Sequence, residues 1–405
     1  MSGKVVARLS EGVASFAPED WDRCAGTANP FLTHAFLSVL EESGSATART
    51  GWQPLPVAID GADGRPAAVM PAFAKSHSQG EYVFDQSWAA AFERAGGDYY
   101  PKLQISVPFT PVQGRRLLTR DPALAPGLIA AAEAVVTSNG LSSAHATFVD
   151  PAEAPVFERA GWLIRIDRQF HWLNAGYASF DDFLATLASR KRKAIRKERA
   201  AALAGLEVQL LGGAEIEARH WDAFWLFYQD TGARKWGRPY LTRRFFTLLG
   251  ERMAERLLLI FALRDGTPIA GALNLIGDDT LYGRYWGCIE EVPFLHFELS
   301  YYQAIDYAIA HGLSRIEAGA QGEHKLSRGY QPVPTFSAHY LADARLRAAV
   351  AEYLDAERRA VADEIEFLGE MTPFKKVRPR GVRCPPATPV PDVVLRRFRG
   401  RSSLR

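Results

Sequence analysis

The hydrophobic pattern is sharpest between Leu257 and Cys288. Three strand-like apolar runs, LLLIFALR, TPIAGALNLIG and TLYGRYWGC, are separated by Asp265-Gly266 and Asp278-Asp279. An Asp-Gly pair between apolar runs is a strong hairpin signal, because the glycine accepts the positive φ that a tight turn needs. In FLHFELSYYQAIDYAIAHGL the period changes. Leu295, Leu299, Tyr302, Ile305 and Ile309 recur at intervals of three and four, which predicts a helix stopped by Gly312. SRIEAGA then reads as a fourth strand.

The first half repeats that order. LPVAID and RPAAVMPAFAK form a hairpin around Gly61–Gly64, and EYVFDQSW reads as the third strand. The segment around Tyr99-Tyr100-Pro101-Lys102 leads into LQISVPF, APGLIAAAEAVVTSNGL is helical and SSAHATFV is the strand after it. Helix, Asn-Gly-Leu-Ser, strand (139–142) in the first half matches helix, His-Gly-Leu-Ser, strand (311–314) in the second. A repeat this long is a duplicated domain, since solenoid repeats have periods of about 20–50 residues. Residues 54–149 and 257–320 are therefore expected to share one strand order.

Between the halves, WLIRIDRQFHWLN is strand-like. Ser179 caps a helix read as running to Gly205, with Asp181 and Asp182 in its first turn, where the helix dipole favours acids. LEVQLL is a strand, and HWDAFWLFYQDTGARKW and TRRFFTLLGERMAERL are helices. Trp221, Trp225 and Tyr228 share a face and read as core. Lys235 and Trp236, after Gly232, read as a loop that could line a groove. DAERRAVADEIEFLGE is a charged helix.

Composition sharpens this picture. At 405 residues the chain is longer than one hydrophobic core ordinarily serves. Cys24, Cys288 and Cys384 form no CxxC pair, so neither a disulfide framework nor a four-Cys zinc site is expected. No apolar run is long enough to span a bilayer and the N-terminus carries no apolar stretch of signal-peptide length, so a cytoplasmic location is expected. The formal charge of +2 divides unevenly. From Lys375 onward ten Lys/Arg face the single acid Asp392, giving a Pro-rich tail of +9 on a body of −7.

The candidate chemistry lies in Glu317-Ala-Gly-Ala-Gln-Gly-Glu-His-Lys-Leu-Ser-Arg-Gly-Tyr330. Its glycines allow close backbone approach to an anion. Lys325 could stabilise an oxyanion or phosphate, Glu323 or His324 could act as a general base, and Gln321, Arg328 and Tyr330 could bind substrate. Arg284 and Trp286 on the third strand of the second half, with Lys235 and Trp236, complete the expected substrate set. In the run 190–199, seven basic residues face only Glu198, so Arg190, Lys191 and Lys193 are candidate phosphate ligands. No HExxH, GxSxG, GxxxxGK[ST] or GxGxxG motif occurs, so zincin, α/β-hydrolase, P-loop and Rossmann readings lack their main support. No metal is expected.

The segments NPFLTHAFLSVLEESGS, YYPKLQISVPFTPVQGRRLL, SFDDFLATLASRKRKAIRKER, TGARKWGRPYLT, WGCIEEVPFLHFELSYYQAIDYAIAHGL and EAGAQGEHKLSRGYQPV together resemble the FemAB-like branch of the GNAT acyltransferase superfamily. The resemblance implies an α/β fold of two tandem GNAT-like domains, mixed sheets flanked by helices, over 1–165 and 166–375, followed by the basic tail 376–405. It implies acyl or aminoacyl transfer to an amine acceptor, with a peptidoglycan precursor as a candidate acceptor, from acyl-CoA or aminoacyl-tRNA. Lys325, five before Tyr330, is the nearest match to the lysine of the Fem pattern. CIEEVPFLHFELS stands where a GNAT pyrophosphate loop would open the helix, which weakens the expectation of ordinary acetyl-CoA binding. The competing expectation is a non-catalytic protein that recognises cell-wall precursors or tRNA.

Overall fold

The computed structural model describes residues 6–236, 239–319 and 322–375, the side chains of 232–236 excepted. The basic tail and Gln321 lie outside the described residues. Strand β1 (Ala7–Leu9) and helices α1 (Pro18–Ala25) and α2 (His34–Glu42) open the chain. Two long arms follow, each broken by proline. The first is β2 (Trp52–Pro54) with β3 (Val57–Asp60), and the second is β4 (Pro66–Met70) with β5 (Ala72–Lys75). Pro56 and Pro71 lack the N–H a ladder needs, so each arm changes sheets there. β3 and β4 pair in a four-stranded sheet between β1 and β7 (Leu118–Thr119), while β2 and β5 pair in the large sheet.

The expected third strand, EYVFDQSW, is not one. Glu81–Asp85 form a loop, and Gln86–Arg94 is helix α3. Its polar residues are consumed by side-chain bonds rather than a ladder: Glu81 and Asp85 both accept from Lys102. The third strand is instead β6 (Lys102–Ile105), followed by α4 (Ala125–Ser138) and β8 (Ser143–Val149), then α5 (Ala154–Arg159). β5–β6 is antiparallel and β6–β8 parallel.

In the second half, β9 (Leu163–Leu173), α6 (Phe180–Thr186), α7 (Ser189–Ala202) and β10 (Glu207–Gly212) lead in. Ser179 caps α6 as expected, its Oγ accepting from Asp182 N at 3.1 Å. The helix does not run to Gly205, however. Leu187 turns extended and bridges to Phe374, dividing it into α6 and α7. α8 (Ala218–Trp236) runs straight through Gly232, so Lys235 and Trp236 occupy its last turn rather than a loop. After α9 (Arg243–Met253), β11 (Leu257–Arg264), β12 (Thr267–Ile276) and β13 (Thr280–Cys288) pair antiparallel. A helical stretch made of α10 (Leu295–Phe297), a π-turn at Glu298–Tyr302 and α11 (Gln303–Ala310) leads to β14 (Arg315–Glu317), parallel to β13. Antiparallel, antiparallel, helix, parallel is thus the order in both halves.

β15 (Gln331–Leu341) and α12 (Ala344–Glu370) end the described chain. The eleven-stranded sheet runs β10-β11-β12-β13-β14-β9-β15-β8-β6-β5-β2. β9 and β15 are its seam: β9 pairs with β14, while β15 returns from the end of the chain to pair with β8. One face carries a core shared by α1, α2, α8 and α9, including Trp21, Phe36, Trp221 and Phe245. α6, α7, α10 and α11 cover the opposite face of the second half, and α4 and α5 cover the first. Gly287 lets α8 lie directly on β13, since a Cβ there would come within 2.1 Å of the Phe227 carbonyl oxygen. Among the described residues no helix is long and apolar enough to cross a membrane.

Candidate active site

Strands β12 and β13 slip by one residue. Leu273 faces Tyr285 and Asn274 faces Gly283, which leaves Arg284 as an extra, bulged residue. A bulge re-aims the side chain it carries. The Arg284 side chain is 2% exposed. Its guanidinium donates to the Glu317 carbonyl at 2.9 Å and the Gly283 carbonyl at 3.0 Å, with the Glu317 carboxylate 3.4 Å away. Phe31 and Tyr282 each present a ring face to it at 5.1 Å.

The bulge sits where β13 and β14 part. These strands pair only over Thr280–Tyr282 and Arg315–Glu317. The π-turn covers the fork, a helical irregularity found mostly at functional sites. It is held by Arg199 of α7, which grips the fully buried Glu298 through Nε and Nη2 and pairs with Asp306 through Nη1. A cavity of about 80 Å³ remains in the fork, lined in part by Asn274, Arg284, Tyr285, Trp286, Ser300 and Tyr301. Four of these residues hold a buried polar atom with no hydrogen-bond partner among the described residues: Asn274 Oδ1, Arg284 Nε, Tyr285 OH and Ser300 Oγ. Buried polar atoms without partners are uncommon in native folds, so this cluster calls for water, an ion or a ligand group to satisfy it.

The predicted loop closes the site from the end of β14. Gly319, Gly322 and Gly329 all take positive φ, which bends the chain into the tight turn Glu323–Arg328. Lys325 is 1% exposed and donates to the Gly319 carbonyl at 2.9 Å. Burial and, secondarily, the charge of Arg284 push its pKa down to about 7. The buried carboxylate of this neighbourhood is Glu317, which faces Arg284 and, at 3.7 Å, Arg315. On the adjoining strand His171 is paired in register with Glu317, and burial pushes its pKa down to about 4.

The other predicted residues divide by environment. His324 accepts or donates through Nε2 to Tyr301 OH at 2.9 Å and is itself exposed, while Glu323 stands exposed on the rim. Tyr330 is fully buried against Tyr301, at 5.4 Å between ring centroids. Trp286 packs on His296 at 5.1 Å. Arg328 is committed to the scaffold: it donates to the His324 carbonyl and to Glu198, and lies 3.4 Å over the Phe297 ring. Arg190, Lys191 and Lys193 are exposed on α7, and Lys191 reaches Ser327 of the turn at 3.3 Å. Arg196 and Arg199 of the same basic run are paired with Asp181 and with Glu298 and Asp306. The side chains of Gln321, Lys235 and Trp236 lie outside the described residues. Asn274, Ser300 and Tyr301 escaped the sequence reading, for single Asn, Ser and Tyr residues carry no spacing signal, and Glu317 stood at the head of the candidate segment without a role. Among the described residues no three His, Cys, Asp or Glu side chains could together hold a metal ion.

Residues 12–376 match the FemAB-like family, described as peptidoglycan biosynthesis/recognition. The chain belongs to that family. A crystal structure of FemX has the same fold, with a TM-score of 0.53 at 12% identity over 85% of this chain and all of the other. A conserved protein of unknown function from Bacteroides thetaiotaomicron gives 0.52 at 12% identity, over 83% of this chain and all of its own. A tandem GNAT protein from the clavulanic acid biosynthesis pathway gives 0.43 at 13% identity, over 84% and 99%. No curated protein matches the sequence. This FemAB-like chain thus has the mixed α/β fold expected of it.

Proposed function

We propose that this protein transfers an acyl or aminoacyl group to an amine acceptor, a peptidoglycan precursor being the acceptor class its family suggests, with Lys325 as the central catalytic group. The observation that carries this reading is the pair of buried cations, Arg284 in the wall of the fork cavity and Lys325 in the turn that follows β14, with four unpartnered polar atoms in the cavity wall. Acyl transfer develops negative charge on the carbonyl oxygen. In a dry site, fixed cations and donors stabilise that charge far better than water would. The acceptor nitrogen forms a bond to the carbonyl carbon, and an electron pair moves onto the oxygen towards Lys325 and Arg284. The intermediate collapses, and the bond to the leaving group breaks with its electron pair remaining on the departing CoA sulfur or ribose oxygen, which takes a proton from solvent. The attacking nitrogen gives up its proton through Tyr301 OH to His324 Nε2, 2.9 Å away, and His324 passes it to solvent. Arg190, Lys191 and Lys193 on α7, beside the Lys325 turn, suit a phosphate-bearing donor, either a CoA ester or an aminoacyl-tRNA. In this reading the division at 165/166 separates two GNAT-like lobes, of which the second carries the chemistry.

A small cleft lined by a buried arginine and by tyrosine hydroxyls favours catalysis over simple recognition. The test is amide formation, detected by mass spectrometry, with acyl-CoA or aminoacyl-tRNA as donor and amine-bearing precursor peptides as acceptors. Lys325→Ala is expected to lose about 10²–10³ in rate, as loss of one oxyanion donor does. An undiminished rate in Lys325→Ala removes that lysine from the mechanism. Tight precursor binding with no amide from either donor supports the recognition reading instead.

A further inference from the structure

A second cavity, of about 310 Å³, lies between the loop that follows β5 and the segment that follows α8. Ser78, Gln79, Tyr82 and Gln86 form one wall, and Pro239 with Tyr240 forms the other. No charged side chain lines it among the described residues. Its aromatic surface is already ordered. Tyr240 stacks face to face on Phe109, with 5.1 Å between ring centroids and 15° between planes. Tyr82 and Phe109 both take positive φ, at 60° and 63°, a region that costs a bulky residue strain and is found where function demands it.

The strained wall is held from beneath by charges that never reach the cavity. Lys102, fully buried, donates to Ser78 Oγ at 2.8 Å, to Glu81 at 2.8 Å and to Asp85. Lys75, also fully buried, donates to the Gln79 carbonyl at 3.2 Å and stands 3.8 Å over the Trp52 ring. Two lysines against two carboxylates cancel within the scaffold, so the loop is fixed without help from a ligand. A recess fixed in advance spares a ligand the entropy of ordering it. What the recess then offers is an aromatic face together with two exposed primary amides, each able to donate and to accept.

We infer that this cavity binds an uncharged ring with hydrogen-bonding edges, a pyranose sugar or a nucleobase, stacked on Tyr240 and bonded at its rim by Gln79 and Gln86. The volume, at the lower end for small-molecule sites, suits one substituted ring rather than a chain. The wall adjoins the fork: Leu241 N, next to Tyr240, donates to Tyr228 OH at 3.2 Å, and the Tyr228 ring meets Tyr285 of the fork at 5.6 Å between centroids. The ring is then a remote part of a substrate whose reacting end lies in the fork. That role, unlike the binding itself, rests on the function proposed above.

The test is ligand-observed NMR on the whole protein without a donor, titrating N-acetylglucosamine and, separately, adenosine. Binding of either ring is expected, weakened at least tenfold by Tyr240→Ala and by Gln86→Leu and unchanged by Lys325→Ala. Gln86 is exposed, so Gln86→Leu tests the site even where Tyr240→Ala disturbs folding. Binding of the sugar alone assigns the pocket to a glycan-bearing acceptor, and binding of adenosine alone assigns it to a nucleotide-bearing donor. No binding of either ring, or binding that survives both pocket substitutions, overturns the assignment. Ring binding that persists when Lys325→Ala retains full transfer activity keeps this site while removing the function proposed for the fork.

Discussion

Lys325 is a cation buried beside another cation, and that placement has a cost in stability. Its pKa is about 7 in the folded chain against an ordinary 10.5, with burial the larger cause and Arg284 the smaller. Between those two values the folded protein has released a proton that the unfolded chain still holds. Stability therefore rises with pH across that window, and as pH falls it is lost between about 10.5 and about 7. Lys325→Met removes the titration and keeps the volume. It is expected to be more stable than the native protein at pH 6, by on the order of a few kcal/mol, with the difference shrinking towards pH 10. Urea unfolding of both proteins at pH 6 and pH 9 measures this, and a Lys325→Met protein that is less stable at pH 6 would show that the lysine is not strained. Lys325 was legible in the sequence because glycines and basic groups cluster around it. The role of Glu317, the carboxylate that faces Arg284, was not, because a carboxylate at a strand end looks the same in sequence whether it faces water or a buried arginine.

At the scale of elements, α7 was legible as a basic helix but not in its division of labour. Seven cations within ten residues gave a face for phosphate, yet Arg199 is spent on the buried Glu298 and so shapes the π-turn over the fork. Removing one partner of a buried ion pair typically costs about 3–5 kcal/mol, because the other charge is left stranded. Arg199→Ala is expected to lower the melting temperature markedly, and Arg199→Ala with Glu298→Gln to recover much of the loss. Changing Arg190, Lys191 and Lys193 together to Ala is expected to leave the melting temperature unchanged while weakening donor binding, most at low ionic strength. Equal thermal shifts in the two variants would mean that the helix does not separate these tasks. The strand order was legible for a related reason: hairpin glycines and period changes are local signals. The two elements misread, EYVFDQSW and the long helix from Ser179, are decided by distant partners. Lys102 draws Glu81 and Asp85 into the interior, and Phe374 pulls Leu187 into a bridge.

At the scale of the whole molecule, two halves of one strand order have become unequal and inseparable. In the first half β6 and β8 part just as β13 and β14 do, but there Arg116 fills the interior. It is fully buried and donates to the backbone carbonyls of Val112, Gly114, Arg115 and Thr147. One half keeps an open fork and the other has plugged the corresponding place with a side chain. The halves also share their structure. β15, the last strand among the described residues, is hydrogen-bonded to β8 on one side and β9 on the other. Phe36 of α2 meets Phe245 of α9 at 6.0 Å, and Thr242 N donates to Ser45 Oγ at 3.2 Å. Two domains joined by a small polar interface would unfold separately. A continuous sheet with a common core lets neither half lose its packing while the other keeps it. The expected outcome is a single cooperative transition in urea, with far-UV circular dichroism and the fluorescence of the nine tryptophans, which are spread over both halves, following one curve. Two resolved transitions, or tryptophan and dichroism curves that separate, would mean that the seam of β9 and β15 can open before either half unfolds.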